Sequence, residues 1–272
     1  MATKVYQGKK QDGDLTVLTE DSLTEEAGLQ IIINDKPFSI TMRTPGHDEE
    51  LIRGLLHAEG IINSRNFHPE ISFSETKKAI SSASMSIQEK KLGNSYSNHR
   101  SLLSVSSCGI CGKTELDDHH CEEHLDLDSD RFDARELSEM FQKMEAKQKA
   151  FISSGGSHAA AAFSADGEII CLREDIGRHN AVDKVVGHLL LNNRLKDAKF
   201  LLVSGRISYE IVIKCFKARI PILAAVSAPS TLAVDYAKEL GITLIGFARK
   251  NRSTCYANTQ RLTTNQYKTQ SA

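Results

Sequence analysis

Residues 199–248 have the sequence "KFLLVSGRISYEIVIKCFKARIPILAAVSAPSTLAVDYAKELGITLIGFA". Three continuous apolar runs, "KFLLVS", "IPILAAVS" and "ITLIGFA", alternate in it with two segments of helical periodicity. Upstream, at residues 167–191, the run "GEIICLR" precedes the helical "AVDKVVGHLLL" in the same way. Continuous apolar strands that alternate with helices predict an α/β fold whose mostly parallel sheet is covered on both faces.

The loops that follow the four predicted strands carry basic side chains. Ligands of open α/β sheets bind at the carboxyl ends of the strands, so these loops are the expected binding site. Helices begin directly after three of the loops, and both helix N-termini and arginine side chains bind phosphate. None of the loops matches G-x-G-x-x-G or the P-loop pattern, which disfavours an ordinary dinucleotide fold or an NTPase. The basic residues of these loops are Arg178, His179, Arg206, Arg249, Lys250 and Arg252.

The N-terminal half predicts a smaller α/β domain. "LQIIIN" and "FSITMR" flank turn residues and indicate a two-stranded hairpin, and "PGHDEELIRGLLHAEGII" indicates a helix that stops at Gly60. Further on, "ARELSEMFQKMEAKQKAF" at residues 134–151 predicts one amphipathic helix. The expected organisation is a flexible N-terminus over residues 1–27, an N-terminal α/β domain with the C-x-x-C loop over 28–130, a second α/β domain over 131–257 and a disordered tail over 258–272.

Composition narrows the class of protein. Lys and Arg total 34 and Asp and Glu total 35, so bulk charge predicts neither a nucleic-acid-binding surface nor membrane adhesion. No apolar run is long enough to span a bilayer, and "MATKVYQGKKQDGDL" lacks the apolar segment of a signal peptide. We therefore expect a soluble cytoplasmic protein. Six cysteines in 272 residues are too few for a disulfide scaffold, and a C-x-x-C in a reducing compartment typically binds metal or is catalytic.

Cys108 and Cys111 form such a pair in "SSCGICGK", and two metal-based interpretations are open. Cys121 and His124 complete a C-x₂-C…C-x₂-H set, whose spacing can close a tetrahedral zinc site. His57 begins the tripeptide "HAE", which together with the C-x-x-C resembles the H-x-E…P-C-x-x-C pattern of zinc deaminases. Serine replaces the proline of that pattern and its two halves lie far apart, which disfavours the deaminase.

The third interpretation is thiol chemistry. A C-x-x-C thiol beside a cation or a helix N-terminus has a lowered pKa and forms the reactive thiolate, and Lys113 is close in the sequence. Glycines next to both cysteines leave little bulk around the sulfur atoms, so a large partner can approach. The remaining cysteines of apolar or strand-like segments are expected to be structural, namely Cys171, Cys215 and Cys255.

Five segments of the chain resemble the FdhD family, the formate dehydrogenase accessory sulfurtransferases. They are "TMRTPGHDEELIRGLLHAEGII", "SSCGICGK", "REDIGRHNAVDKVVG", "LLVSGRISYEIVIKC" with "IPILAAVSAPSTLAVDYAKELGITLIGF", and "ARKNR", which together span about residues 29–256. Several of these segments are long, so the match is far more specific than a short motif. The resemblance implies a cytidine-deaminase-like α/β core with a small N-terminal α/β domain.

The resemblance also implies a reaction. Members of the family accept sulfur from a cysteine desulfurase as a persulfide and pass it to Mo-bis-molybdopterin guanine dinucleotide, the molybdenum cofactor that formate dehydrogenase requires. The persulfide-bearing cysteine of the family falls on Cys108, with Cys111 in an assisting role. GDP is expected to mimic half of the cofactor, and any metal would belong to that bound cofactor. The residues expected to contact or shape the cofactor site are Phe247, Ala248, Arg249, Lys250, Asn251, Arg252, Asp175, Arg178, His179, Asp183 and Arg206.

The chain departs from the family pattern in places. His47 stands where the family often has an acidic residue, and "SSGGSHAAAAF" is a looser version of the family's Gly-Gly-x-His segment. We also expect a homodimer, on the resemblance and on the apolar residues in "FLLVS" and "PILAAVS", which could pair subunits at a sheet edge. An alternative from another class is a zinc-stabilised nucleotide-binding module that regulates a partner without turnover.

Overall fold

The computed structural model of the protein describes residues 2–62, 64–75, 80–93, 95–96, 124–127 and 130–263. These residues form a mixed α/β structure with three sheets. The strands are β1 Thr3–Asp12, β2 Leu15–Thr24, β3 Ala27–Ile33, β4 Lys36–Arg43, β5 Ser72–Glu75, β6 Ile80–Met85, β7 His158–Phe163, β8 Ile169–Asp175, β9 Phe200–Val203, β10 Ile222–Ala225, β11 Thr243–Arg249 and β12 Arg252–Ala257. The α-helices are α1 Asp48–Ala58, α2 Glu136–Glu145, α3 Lys149–Ser154, α4 Arg178–Leu191, α5 Tyr209–Lys217 and α6 Thr231–Glu239.

The largest sheet has the strand order β12-β11-β10-β9-β7-β8. The four strands expected from the sequence are β8, β9, β10 and β11, and they all run in one direction. However, β7 lies between β8 and β9 and is antiparallel to both, and β12 is antiparallel to β11. The sheet is therefore mixed, and the expectation of a mostly parallel sheet is corrected. The inserted strand "HAAAAF" is mostly alanine, which has low strand propensity and gives no strand signal in the sequence.

Both faces of this sheet are covered. Helices α4, α5 and α6 pack on one face, and α2 packs on the other with Phe132. All residues of β9 and β10 are buried inside the sheet. The apolar runs "FLLVS" and "PILAAVS" are thus the centre of the core, and they do not form an exposed edge that could pair subunits. Among the helices in the described part of the chain, none has the length and apolar character needed to cross a bilayer.

The helix expected over residues 134–151 is two helices, α2 and α3. Glu174 at the end of β8 explains the break, because its carboxylate accepts hydrogen bonds from the backbone N–H groups of Ala150 and Phe151, both at 2.8 Å. A carboxylate bound to free N–H groups is a favourable start for a new helix. The apolar side of α2 is buried as its periodicity predicts, with Leu137, Met140, Phe141 and Met144 in the core.

A second sheet, of order β4-β3-β6-β5, forms the N-terminal lobe with α1. The predicted hairpin is present as β3 and β4, and the two residues between them, Asn34 and Asp35, both have positive φ. Two such residues are the signature of the type I′ turn, whose twist matches that of paired strands. The predicted helix is present as α1 and is followed by Gly60, which also has positive φ.

The chain ends differ from expectation. Residues Thr3–Thr24, expected to belong to a flexible N-terminus, form the antiparallel hairpin of β1 and β2 around Gly13, which has positive φ. At the other end, the start of the expected disordered tail is packed, since Arg261 is fully buried and donates to the backbone oxygens of Gly241 at 2.9 Å and Asp126 at 2.7 Å. A buried arginine must have such acceptors, so residues 258–263 belong to the fold.

The two lobes meet where α1 crosses α4. A Cβ atom on Gly54 would lie 1.9 Å from the backbone oxygen of Asp183, and one on Gly187 would lie 1.7 Å from that of Glu50. Each helix therefore places a glycine against the backbone of the other, and any side chain at either position would force the helices apart. Two glycines on different helices thus fix how the N-terminal lobe sits on the large sheet.

We predict that Gly54→Ala and Gly187→Ala each lower the free energy of unfolding by about 3 kcal/mol or more, the upper end of the cost of overpacking. Alanine is the better helix former, so helix propensity alone predicts the opposite sign. Urea denaturation measures the change. The control is Gly8→Ala, whose Cβ would lie 3.9 Å from Thr19 Cγ2 and which should change stability by less than about 0.5 kcal/mol. Stability of the two helix variants equal to wild type would contradict the close crossing.

Candidate cofactor-binding site

One edge of the large sheet collects the loops that the sequence singled out. Strands β8 to β11 all end there, and α4, α5 and α6 begin there at Arg178, Tyr209 and Thr231. Because β7 runs in the opposite direction, its first residue, His158, also lies at this edge, paired in register with Asp175. Three helix N-termini and several basic side chains therefore share one edge, as expected for an anion site.

Asp175 lies behind this edge and is completely buried. One carboxylate oxygen lies 2.7 Å from Lys184 Nζ and accepts from the backbone N–H of Thr44 at 3.1 Å. The other accepts from the backbone N–H of Gly177 at 2.8 Å and from the Asn180 side chain at 3.0 Å. With both oxygens occupied, Asp175 holds the β8–α4 loop and the N-terminal lobe together, and it presents no free oxygen to a ligand.

Asp183 is the acid of a second buried ion pair. Its Oδ1 lies 2.5 Å from Lys214 Nζ, which ties α4 to α5. Burial raises the pKa of the Asp183 carboxyl, and the neighbouring Lys214 ammonium opposes that rise. Like Asp175, Asp183 supports elements that begin at the site. Its ion pair with Lys214 lies more than one turn after the first residues of α4 and α5.

His179 links the first turns of α4 and α5. Its Nε2 is hydrogen-bonded to Ser208 Oγ at 3.0 Å and lies 3.7 Å from Glu210 Oε2. Burial opposes ionisation of Glu210, but hydrogen bonds with His179 and Ser208 lower the pKa of its carboxyl to about 2. Glu210 is therefore a carboxylate at neutral pH, and the buried His179 ring orders the floor of the site.

The groups that face outward are Arg178, Arg206 and His158. Arg178 is half-buried, and its Nε is buried without a hydrogen-bond partner among the described residues. Arg206 is exposed. The half-buried imidazole of His158 has a lowered pKa because of burial and of the positive charges of Arg178, His179 and Arg206. Arg178, Arg206 and His158 therefore lie close enough to influence one another's charge. A buried guanidinium nitrogen without a described partner is suited to binding an anion there.

Our sequence interpretation did not include His158 in the site. The residue falls in "SSGGSHAAAAF", the segment that resembles the family's Gly-Gly-x-His pattern, and that pattern was the signal available. The strand β7 was not predicted from the sequence, so there was no reason to expect His158 at this edge.

The segment Phe247–Arg252 forms the end of β11 and a tight turn into β12. Arg249 and Arg252 pair across the turn, and Lys250 and Asn251 between them both have positive φ. Those four residues are exposed, whereas Ala248 is buried in the core, so only its backbone is accessible to a ligand. The turn therefore presents three basic side chains at the end of a strand of the same sheet.

Phe247 has an unusual backbone. Its φ is +54°, its side chain is 41% exposed, and its ring centroid lies 6.5 Å from that of Tyr256. Positive φ is rare for a bulky residue and is often found at functional sites. An exposed aromatic ring held in this way is suited to stacking on a planar ligand.

The cysteines divide into two groups. Cys108, Cys111 and Cys121 lie outside the described residues. Burial raises the pKa of the Cys171 thiol to about 12 and also raises the pKa of Cys215. Burial likewise raises the pKa of Cys255, whose thiol donates to a backbone oxygen. These three thiols are protonated at neutral pH and lie within the fold, so their predicted structural role is confirmed.

His57 and His124, the described residues of the two metal-based patterns, lie away from the cationic edge. His57 is buried, with Nε2 3.1 Å from the backbone oxygen of Lys217, and burial lowers its pKa to about 4. His124 has Nδ1 2.6 Å from the backbone oxygen of Glu239. Both partners lie at the far ends of α5 and α6, opposite the edge where these helices begin. His57 therefore links α1 to the end of α5 within the fold.

The described residues thus define an α/β protein with a cationic sheet edge that is supported by buried ion pairs. Comparison with known proteins identifies its family. The profile of the FdhD/NarQ family matches residues 24–263, and the chain belongs to that family.

Relatives of known sequence agree with the assignment. The sulfur carrier protein FdhD of Streptomyces coelicolor is 40% identical over 251 residues, 89% of each chain. The sulfur carrier protein FdhD of Sulfolobus acidocaldarius is 38% identical over 264 residues, 95% of this chain and 98% of the relative. A crystal structure assigned as a formate dehydrogenase accessory protein, from Desulfotalea psychrophila, has the same fold with a TM-score of 0.72 at 20% identity, covering 96% of this chain and 100% of that chain.

We predict that Asp175→Asn destabilises the protein by about 3–5 kcal/mol, because it leaves the Lys184 ammonium buried without its counter-charge. Thermal and urea unfolding measure this loss. The matched control is Asp197→Asn, which breaks an exposed ion pair with Arg194 and should cost less than about 1 kcal/mol. Equal, small losses in both variants would show that Asp175 is not the buried support of this edge.

Proposed function

We propose that this protein is a sulfur carrier that receives a persulfide on Cys108 and delivers the sulfur to a guanine-dinucleotide form of the molybdenum cofactor for formate dehydrogenase. The proposal joins two supports. The first is the family, whose members in Streptomyces coelicolor and Sulfolobus acidocaldarius are named sulfur carrier proteins. The second is the observation on which the binding step depends, the cationic edge around Arg178, whose buried Nε has no hydrogen-bond partner among the described residues.

The first step is an exchange of sulfur between two cysteines. The Cys108 thiolate attacks the outer sulfur of a desulfurase persulfide, the S–S bond of that persulfide breaks, and the desulfurase cysteine leaves as a thiolate. The products are Cys108–S–SH and the restored desulfurase thiol, so no external oxidant or reductant is required. The described thiols Cys171 and Cys215 are poor candidates for this step, because burial holds both in the protonated form.

In the second step the cofactor is the substrate. Its phosphate groups are bound by Arg178, Arg206 and the arginines of the β11–β12 turn, and the exposed Phe247 ring stacks on guanine. Asp175, His179 and Asp183 hold the loops in place and do not contact the ligand. Cys111 assists the release of sulfur in one of two ways. Its thiolate attacks the outer sulfur of Cys108–S–SH, which relays that sulfur to Cys111 and leaves the Cys108 thiolate, or it attacks the inner sulfur, which forms a Cys108–Cys111 disulfide and expels hydrosulfide; a dithiol reductant then returns that disulfide to two thiols.

The proposed partners are a cysteine desulfurase and formate dehydrogenase, and the proposed assembly is a cytoplasmic homodimer. The apolar strands β9 and β10 are excluded as its interface by their burial. The dimer therefore rests on family resemblance alone.

We predict that incubation with a cysteine desulfurase and isotopically labelled cysteine adds one sulfur atom to Cys108. Cys108→Ala should abolish both this gain and the activation of formate dehydrogenase, whereas Cys111→Ala should reduce them less. Intact-mass and peptide analysis locate the label. Cys171→Ala serves as the control, since the thiol it removes is buried. Label on Cys171 or Cys215 with Cys108 unmodified would overturn the assignment.

We predict that Arg249→Ala and Arg252→Ala weaken GDP binding by about ten- to a hundredfold, since a hydrogen bond to a charged group contributes roughly 1.5–3 kcal/mol. Replacement by lysine should restore only part of the affinity, because an ammonium cannot form the bidentate pair with phosphate. Calorimetry measures the binding. Cys108→Ala should bind GDP like wild type, and so should the control Arg194→Ala, whose arginine is exposed beyond the far end of α4. Equal affinity in all variants would remove the turn from the site.

A further inference from the structure

The position of His158 is set by the backbone on both sides of β7. The backbone N–H of Ala159 donates to Ser204 Oγ at 2.9 Å, and the backbone N–H of Ser204 donates to the Ala159 oxygen at 3.0 Å. His158 is also in register with Asp175 on the neighbouring strand. The imidazole is thus attached to a strand that is fixed between β8 and β9, two of the four strands whose loops form the cationic edge.

The ring itself has no hydrogen-bond partner in the part of the chain that the structure describes. No described residue forms a hydrogen bond with either ring nitrogen, although the side chain is half-buried. The neighbouring Arg178 has a buried Nε in the same condition. Two adjacent hydrogen-bonding groups that are partly withdrawn from water and unpaired are costly unless something binds to them.

A glycine packs closely against both of these side chains. A Cβ atom on Gly205 would lie 3.3 Å from His158 Nδ1 and 3.4 Å from Arg178 Cβ and Cδ. The φ of Gly205 is outside the left-handed region, so backbone geometry does not require glycine here. The absent side chain instead lets the imidazole and the Arg178 side chain both lie close to the backbone at this position, and a Cβ atom would press on both.

We propose that His158 is a ligand-contacting residue of this edge, and that with Arg178 and Arg206 it binds a phosphate group of the nucleotide. This inference rests on the proposed function and names a residue and a pH dependence that the proposed function does not contain. An imidazole that gains a proton beside a bound phosphate forms a charge-assisted hydrogen bond, so binding should strengthen as His158 becomes protonated.

The charges around His158 determine the direction of this effect. Arg178 and His179 of α4 and Arg206 of the β9–α5 loop oppose its protonation, while Asp175 of β8 favours it, and burial opposes it most. The pKa of His158 therefore lies below its ordinary value of 6.5 in the free protein. A bound phosphate raises that pKa, so lowering the pH through this range increases the affinity of the wild type relative to a variant that cannot titrate.

The experiment measures binding of inorganic pyrophosphate and of GDP by calorimetry at about pH 7.5 and about pH 5.5, on either side of the histidine range. The variants are His158→Gln, which retains a hydrogen-bonding group but does not titrate, and Gly205→Ala, which presses a methyl group against the His158 and Arg178 side chains. His124→Gln is the matched control, since this histidine lies at the opposite edge. The phosphate ligand titrates in the same range, so only ratios between proteins at one pH are compared.

At about pH 7.5, His158→Gln should bind pyrophosphate within about threefold of wild type, and at about pH 5.5 it should bind about tenfold or more weakly, as expected for loss of a charge-assisted hydrogen bond. Gly205→Ala should weaken pyrophosphate binding at both pH values, and His124→Gln should match wild type. A constant ratio of wild type to His158→Gln, with Gly205→Ala unaffected, would overturn the inference. If Arg249→Ala still weakened GDP binding in that case, the proposed function would stand, whereas no binding of GDP to wild type would remove both.

Discussion

The close crossing of α1 and α4 is the contact on which the arrangement of the site depends. Gly54 and Gly187 bring the two backbones into contact from both sides. This contact brings the end of β4 against the β8–α4 loop, where Thr44 donates to Asp175 and accepts from Lys184. A larger residue at the crossing would separate those groups. The N-terminal lobe thus acts as one wall of the loop that carries Arg178.

At this edge the paired acidic groups are buried and the positive groups without such partners lie nearer the surface. Asp175 and Asp183 lie deep in the structure, and each is paired with a lysine of α4 or α5. Buried pairs of this kind contribute little net stability but are costly to break. The positive groups above them, on Arg178, Arg206 and the β11–β12 turn, have no such carboxylate partners among the described ion pairs. The edge therefore has satisfied charges in its floor and available positive charge on its surface, an arrangement suited to holding a multiply charged anion.

Much of the large sheet could be predicted from the sequence, because β8 to β11 are continuous apolar runs and the helices after them have clear periodicity. The strand β7 could not be predicted, since an alanine run carries no strand signal. Because β7 was missed, the position of His158 at the edge could not be predicted either. The roles of Asp175 and Asp183 as buried ion-pair partners could not be predicted from the sequence either. Their partners, such as Thr44 and Lys214, are distant in sequence, and only the folded chain shows that these carboxylates are occupied.

A crystal structure of the protein with GDP bound at neutral pH would show directly whether this edge is the nucleotide site. We predict that the diphosphate lies at the carboxyl edge of the large sheet, near Arg178 and the first turns of α4 and α5, with guanine near Phe247. Side chains of Asp175 and Asp183 should remain in their ion pairs, without contact to the nucleotide. A nucleotide bound at the opposite edge, or on the N-terminal lobe away from these loops, would contradict it.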